Sequence, residues 1–496
     1  MRKRAWTVTV LCAAVVLAGC VRSAEMAHPV AVTEPERFAA ALAQRVGTDA
    51  MMAHLHALQD IANAHGNTRA VGTPGYEASV DYVSKALRDK GFDVQTPEFT
   101  VRISHSEPGT LTAGPGSFTA RALTYSVGTP SAGVTAPLVV ARAGDDSPGC
   151  VPADYDGLPV AGAVILVDRG KCTFTDKMTA AASRGALAVV IADNVDEKQL
   201  GGTLGEKTEV KIPVVGISKA DGAALRGHTG PVTLTLDAGV KDVTARNVVA
   251  QTKTGSAADV VMAGAHLDSV PEGPGINDNG SGVAAVLEMA LQLGPTPQVR
   301  NAIRFGFWGA EELGLVGSHR YVESLNLEEL RNIALYLNFD MLASPNPGYF
   351  TYDGDQSGPV SRDTAPSRVP EGSAGIERTL VAYLKSAGKT AQDTAFDGRS
   401  DYDGFTLAGI PSGGLFAGAE ENMNEEQAKL WGGRAHEPFD PNYHKATDTI
   451  DAIDRTALGI QGAGVAYVTG LYAAGIDGRN AVPVRDDRTR HVVKPS

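Results

Sequence analysis

Three short apolar runs constrain this chain more than anything else in it. Residues 259–263, 302–308 and 333–339 each have the length and apolar, β-branched or aromatic content of a strand buried within a sheet. Each ends at groups that bind cations: the first leads to His266 and Asp268, the second to Glu311 and Glu312, the third to Asp340. Repeated three times, this grammar points to an α/β sheet, where ligands gather beyond the carboxyl ends of the strands. Between the first two runs stands Asn277-Asp278-Asn279-Gly280-Ser281-Gly282, a glycine-rich turn opening a helix over 283–293. It lacks the lysine and spacing of a phosphate-binding loop, so a nucleotide reading is poor.

The 496 residues suffice for two or three domains, and their net charge of −13 argues against nucleic acid as partner, which needs a basic face. The first residues differ from the rest. Arg2, Lys3 and Arg4 precede an apolar segment over 6–17 that is short for a bilayer span, the pattern of an export signal. Residues 1–19 are read as that signal. It ends Leu17-Ala18-Gly19-Cys20, which resembles the lipobox of bacterial lipoproteins. The resemblance implies lipid on Cys20 and anchorage to the outer face of the cell membrane, with part of the protein released. Cys150 and Cys172 then remain in an oxidising compartment, where a disulfide is the default.

Residues 20–46 read as a polar tether. Helical spacing follows over 49–65 and 76–90, separated by a glycine- and proline-containing loop, and a strand pattern covers 92–101. His54, His56 and His65 have no acidic partner at metal-site spacing and read as surface or structural residues. A Gly/Ser/Thr/Pro-rich stretch to about Val134 marks a boundary, after which short strands recur with no cluster of chemistry. There Arg169-Gly170-Lys171-Cys172-Thr173-Phe174, with Lys177, Ala180 and Gly185, resembles the protease-associated domain inserted into secreted peptidases. The expected organisation is a core over 47–125 and 241–475, a β-rich insert over 126–240 stapled by Cys150 and Cys172, and a disordered tail over 476–496.

Histidines and carboxylates spread over strand ends are donors suited to zinc, and a pair of ions needs about five ligands with one carboxylate shared. His266, Asp278, Glu312 and Asp340, with His444 far downstream, make that count. Their order and spacing, with Asn338-Phe339-Asp340-Met341, Gly398-Arg399-Ser400-Asp401-Tyr402 and Tyr443-His444, resemble the M28 zinc aminopeptidases, the secreted actinobacterial branch especially.

The resemblance implies a mixed, mostly parallel sheet flanked by helices, with two zinc ions per chain. It places His266 and Asp340 on one ion, Glu312 and His444 on the other, and Asp278 between them. A zinc-bridging water would be the nucleophile and Glu311 the general base, with Asp268 orienting His266. Tyr443 would help stabilise the oxyanion, and Arg399 would stand where the substrate's amino terminus binds. The bond from Asp278 to Asn279 would be cis. Expected partners are peptides with a free amino terminus; side-chain preference and oligomeric state are not legible. Rivals stand beside this reading: a metallocarboxypeptidase or dipeptidase of related fold, a single-zinc glutaminyl cyclase, and a receptor-like binding protein on the same fold. Retention of all five ligands speaks for two metals and against the binding protein.

Overall fold

The structure, a computed structural model, describes residues 33–141, 149–196, 200–358, 369–476 and 482–494. The export signal and Cys20 lie outside the described residues. The three apolar runs form the strands Ser256–His266, Asn301–Trp308 and Ile333–Phe339, which pair in parallel with Ser256–His266 in the middle. Register aligns their ends: His266 lies opposite Trp308, and Gly264 opposite Asn338. Ser412–Phe416 adds a fourth parallel strand beside Ile333–Phe339. The full eight-stranded sheet runs Val94–Gln95, Val248–Gln251, Asn301–Trp308, Ser256–His266, Ile333–Phe339, Ser412–Phe416, Phe350–Tyr352, Gln392–Thr394. Antiparallel pairs occur only towards its two edges, so the sheet is mixed with a parallel centre.

Side chains alternate across a strand, and here both faces are covered. Val261, Ala263, Ala265, Phe305, Leu335 and Leu337 pack with the helices Gly282–Leu293 and Arg455–Ala474 in the large core. Met262, Trp308, Ile333 and Tyr336 face the other way, into a second cluster with Val322, Leu330 and Phe405. The helix Gly282–Leu293 is apolar almost all round and buried along most of its length, which fits a helix enclosed by the sheet and other helices.

The helices expected over 49–65 and 76–90 are Thr48–Ala64 and Pro74–Asp89. After them the strand Glu98–Ser106 runs out of the core and Ala238–Arg246 runs back, paired antiparallel along their whole length. Beyond this ribbon seven strands close a barrel, with Cys150 and Cys172 bonded at a Cα separation of 5.8 Å.

Three expectations about organisation differ from the fold. The barrel takes in the hairpin Gly109–Ala113 and Gly116–Ala122, so the insert starts earlier than 126; small and polar residues hid two short strands whose inward positions, Leu111, Ala113, Ala120 and Ala122, are buried. The tether contains the helix Glu34–Ala43, opened by a capping box between Thr33 and Glu36 and seated on Arg455–Ala474 through Ala39 and Leu42. The tail is ordered over 482–494. Buried Arg488 donates to Asp259 at 2.6 Å, and Arg490 donates to the carbonyls of Leu330, Ile333 and Gly409, so charged residues expected to be solvated are docked instead.

Candidate metal centre

His266 closes its strand, Asp340 follows the end of the next strand, and Glu311 and Glu312 sit in the turn after Trp308. Asp278 comes from the turn that opens Gly282–Leu293, and His444 from a loop ahead of Arg455–Ala474. The fold brings these six side chains together. His266 Nε2 lies 3.2 Å from Asp278 Oδ1, 3.3 Å from Asp340 Oδ1 and 3.9 Å from Glu311 Oε2. His444 Nε2 lies 3.0 Å from Glu312 Oε2 and 3.3 Å from Asp278 Oδ2. Asp278 thus turns one oxygen to each histidine.

Backbone geometry here is unusual. Ala310, Met341 and His444 all have positive φ, at 58°, 52° and 55°, and each adjoins or is one of the gathered residues. Such left-handed non-glycine conformations cost on the order of 1–3 kcal/mol each and concentrate at functional sites. The Asp278–Asn279 peptide bond is cis.

The gathered side chains are held from behind. His266 Nδ1 lies 3.2 Å from the carbonyl oxygen of Asp268, an acceptor only, so Nδ1 carries a proton and Nε2 faces the cluster. The Asp268 carboxylate stands farther from that ring, at 3.8 Å, and is engaged by the backbone N–H groups of Glu311 and Glu312 at 3.1 and 3.3 Å. Asp268 therefore reaches His266 through its backbone and the two glutamates through its side chain. A buried relay ends on Asp340: Trp308 Nε1 donates to Tyr336, Tyr336 to Asn338, Asn338 to Ser400, and Ser400 to Asp340 Oδ2 at 2.6 Å. Gly264 makes room for it, since a Cβ there would lie 2.6 Å from the Tyr336 hydroxyl.

Burial and crowding shape the charges. Burial is the largest influence on Glu311 and, with Glu312, Asp401 and Asp340 nearby, raises its carboxyl well above the usual range. Burial and then Asp278 push Glu312 up to about 7. For the histidines burial opposes protonation, but the carboxylates prevail: Asp340 and Glu311 hold His266 well above its ordinary value, and bonds to Asp278 and Glu312 bring His444 to about 10. Burial likewise opposes ionisation of Asp278, yet His266 and His444 hold it below the carboxylate range.

These residues fit a cation. His266 Nε2, Asp340 Oδ1 and Glu312 Oε1 are fully buried, have no hydrogen-bond partner and belong to the same cluster. An unmet buried polar atom costs about 1–3 kcal/mol, so three converging ones describe a site built for something positive. The carboxylates of Asp268, Asp278, Glu311, Glu312 and Asp340 outnumber the two imidazoles, which leads to the same conclusion. Imidazole nitrogen with carboxylate oxygen is a donor set suited to zinc. A further acidic group, Asp353, Asp355 and Glu377, belongs to a different part of the fold, where Glu377 accepts the backbone N–H groups of Gly354 and Asp355.

A cleft opens in front of the cluster, walled by Met341, Tyr352, Thr394, Tyr402 and Phe416. Tyr443 stands at its edge with its ring stacked on His444 at 3.8 Å. Arg399 donates to the Tyr443 hydroxyl at 3.3 Å and pairs with Glu420 and Glu421. His54 lies elsewhere, buried between Tyr82 and Glu288. Asp448 and the role of Arg69 are not legible in the sequence; the side chains of both bond to backbone around the site, a contact with no local signature.

Side chains suited to a cation thus gather around the carboxyl ends of parallel strands and open on a cleft, an arrangement that fits a metal-dependent enzyme. Comparison with known proteins narrows the class. The model of peptidase family M28 matches residues 247–469, and that of the PA domain residues 134–225. The chain is 68% identical over 490 residues to the probable lipoprotein aminopeptidase LpqL of Mycobacterium tuberculosis, covering 98% of this chain and 97% of that one. It is 42% identical over 448 residues to the probable leucine aminopeptidase 2 of Aspergillus fumigatus, covering 88% and 85%. Among solved structures, the aminopeptidase from Aneurinibacillus sp. strain AM-1 matches with a TM-score of 0.68 at 27% identity, covering 89% of this chain and 98% of that one. The zinc aminopeptidase from Bacillus subtilis matches at 0.63 and 28%, covering 88% and 97%. The chain belongs to peptidase family M28 and carries a PA domain within it. It is an aminopeptidase of that family.

Proposed function

We propose that the protein removes the amino-terminal residue from peptides at a centre of two zinc ions. His266 and Asp340 would hold one ion, Glu312 and His444 the other, with Asp278 shared. The observation that carries this reading is the division of Asp278, one oxygen 3.2 Å from His266 and the other 3.3 Å from His444, beside three orphaned donor atoms. When bound, zinc would polarise the scissile carbonyl and bring the ionisation of water near neutral pH.

Glu311 is the general base in this reading. It lies 3.9 Å from His266, where Glu312 lies 3.0 Å from His444, and it lines the cleft within reach of His266 and Asp340. It takes the proton of the attacking water and returns it to the leaving amine. Tyr443 accepts a hydrogen bond from Arg399, which leaves its own proton free to point at a developing oxyanion. Arg399 borders the place for the substrate's free amine, with its guanidinium occupied by Glu420 and Glu421.

We further propose that the chain is exported and held by lipid on Cys20 at the outer face of the membrane. The lipobox-like Leu17-Ala18-Gly19-Cys20 and the relative named as a lipoprotein support this. The test of function is hydrolysis of chromogenic leucine and lysine amides, with free and blocked amines, before and after chelation. Cleavage of free-amine substrates alone, abolished by chelator and restored by zinc, is expected. Cleavage of blocked amides, or activity indifferent to chelation, would overturn it.

A further inference from the structure

Three consecutive backbone N–H groups beside the metal centre end on one residue. Ile276 donates to the carbonyl oxygen of Asp448 at 3.2 Å, Asn277 to its Oδ1 at 2.8 Å and Asp278 to its Oδ2 at 3.0 Å. Asp448 is 2% exposed and lies four positions after His444, in a turn closed by its own N–H donating to Lys445. The two segments meet backbone to backbone: a Cβ on Gly273 would sit 2.2 Å from the Lys445 carbonyl oxygen. Arg69, wholly buried, donates to the carbonyls of Leu267, Pro274 and Gly275 in the same loop and the strand end before it. The loop carrying Asp278 is therefore gripped by its amides through a carboxylate and by its carbonyls through a guanidinium.

We propose that Asp448 is a positioning residue for the metal centre, fixing Asp278 and the turn that carries His444 as one unit, with Arg69 as the counter-grip. This rests on the ligand assignment given above. A carboxylate accepting two N–H groups makes charge-assisted bonds, stronger than those of a neutral acceptor. Asparagine keeps one acceptor and turns an N–H₂ donor against an amide, so Asp448→Asn loses one of the two bonds and adds a repulsion. Residues that orient metal ligands cost about 10–100-fold in metal affinity when changed.

The test uses the full mature chain with zinc affinity read by competition against a chelator of known strength, and near-ultraviolet circular dichroism to establish the folded state. Folded Asp448→Asn should bind zinc about 10–100-fold more weakly than the natural chain, with activity returning as zinc is raised. A merely structural role would lower the melting temperature of the zinc-free protein and leave the zinc affinity of the folded protein unchanged; that result overturns the proposal. Arg69→Lys, which keeps the buried charge and loses the fork, carries the same expectation if Asp448→Asn does not fold. Failure of both to fold also overturns it, because positioning would then be inseparable from folding. Absence of zinc binding by the natural chain would instead overturn the ligand assignment.

Discussion

Glu311 and Glu312 are neighbours in the chain and differ in what they face. Both line the cleft, but Glu312 lies 3.0 Å from His444, whereas Glu311 lies 3.9 Å from His266. Glu311→Ala should keep its zinc and lose turnover by about 10²–10⁴-fold, the usual contribution of a positioned base. Asp278→Ala should lose metal and activity together, since each histidine loses its shared partner; a metal count beside the rate separates the two cases. In the zinc-free protein the centre also predicts a pH dependence. Burial and Asp278 raise Glu312 from 4.5 to about 7, so its stabilising protonated form is lost between those values. Ion pairing raises His444 from 6.5 to about 10 against burial, so its contribution is full below 6.5 and lost through 10. Both signs agree: the melting temperature of the zinc-free protein should fall as pH rises from about 4.5 to 10, while zinc affinity rises as protons leave the ligands. That these side chains gather is legible in the sequence, because each sits at a strand end or in a compact motif. Asp448 was not, since its bond to Asn277 spans 171 positions and leaves no local pattern.

The strands that deliver the gathered side chains are legible, because buried parallel strands are apolar runs with few alternatives. Ile333–Phe339 has the expected bounds, whereas Ser256–His266 extends three residues beyond the expected run at each end, where small residues and His266 interrupt the β-branched pattern. Elements of mixed composition were missed. The helix Glu34–Ala43 buries mainly Ala39 and Leu42, and the tail docks by arginines rather than by apolar side chains. Charged residues read as solvated until a partner elsewhere is known. Arg488 has such a partner: its side chain is fully buried against partly exposed Asp259. Arg488→Ala should lower stability by about 3 kcal/mol, measured as a shift of the urea midpoint at unchanged slope. No shift would mean that the tail rests on the core without holding it.

On the scale of the molecule, the insert and the core keep separate interiors. The barrel's two apolar clusters contain none of the core's buried side chains, and the ribbon joins them. Glu107 donates to Asp237 at 2.9 Å across its far end, so the chain leaves and returns at one point. Replacing residues 107–237 by a short turn should leave a core that folds and binds zinc; loss of the fold would show that the insert is part of the core's stability. The sequence revealed the presence of an insert through its change in composition, and missed its start because strands of threonine, alanine and glycine resemble a loop. In the proposed centre the core holds two zinc ions around Asp278, with Glu311 acting as base. Zinc per chain counted in the natural protein and in Glu311→Gln, with turnover measured on the same samples, separates metal binding from proton transfer. Two zinc ions are expected in both, with turnover lost only in the variant. One ion in the natural chain, or a fully active Glu311→Gln, would contradict it.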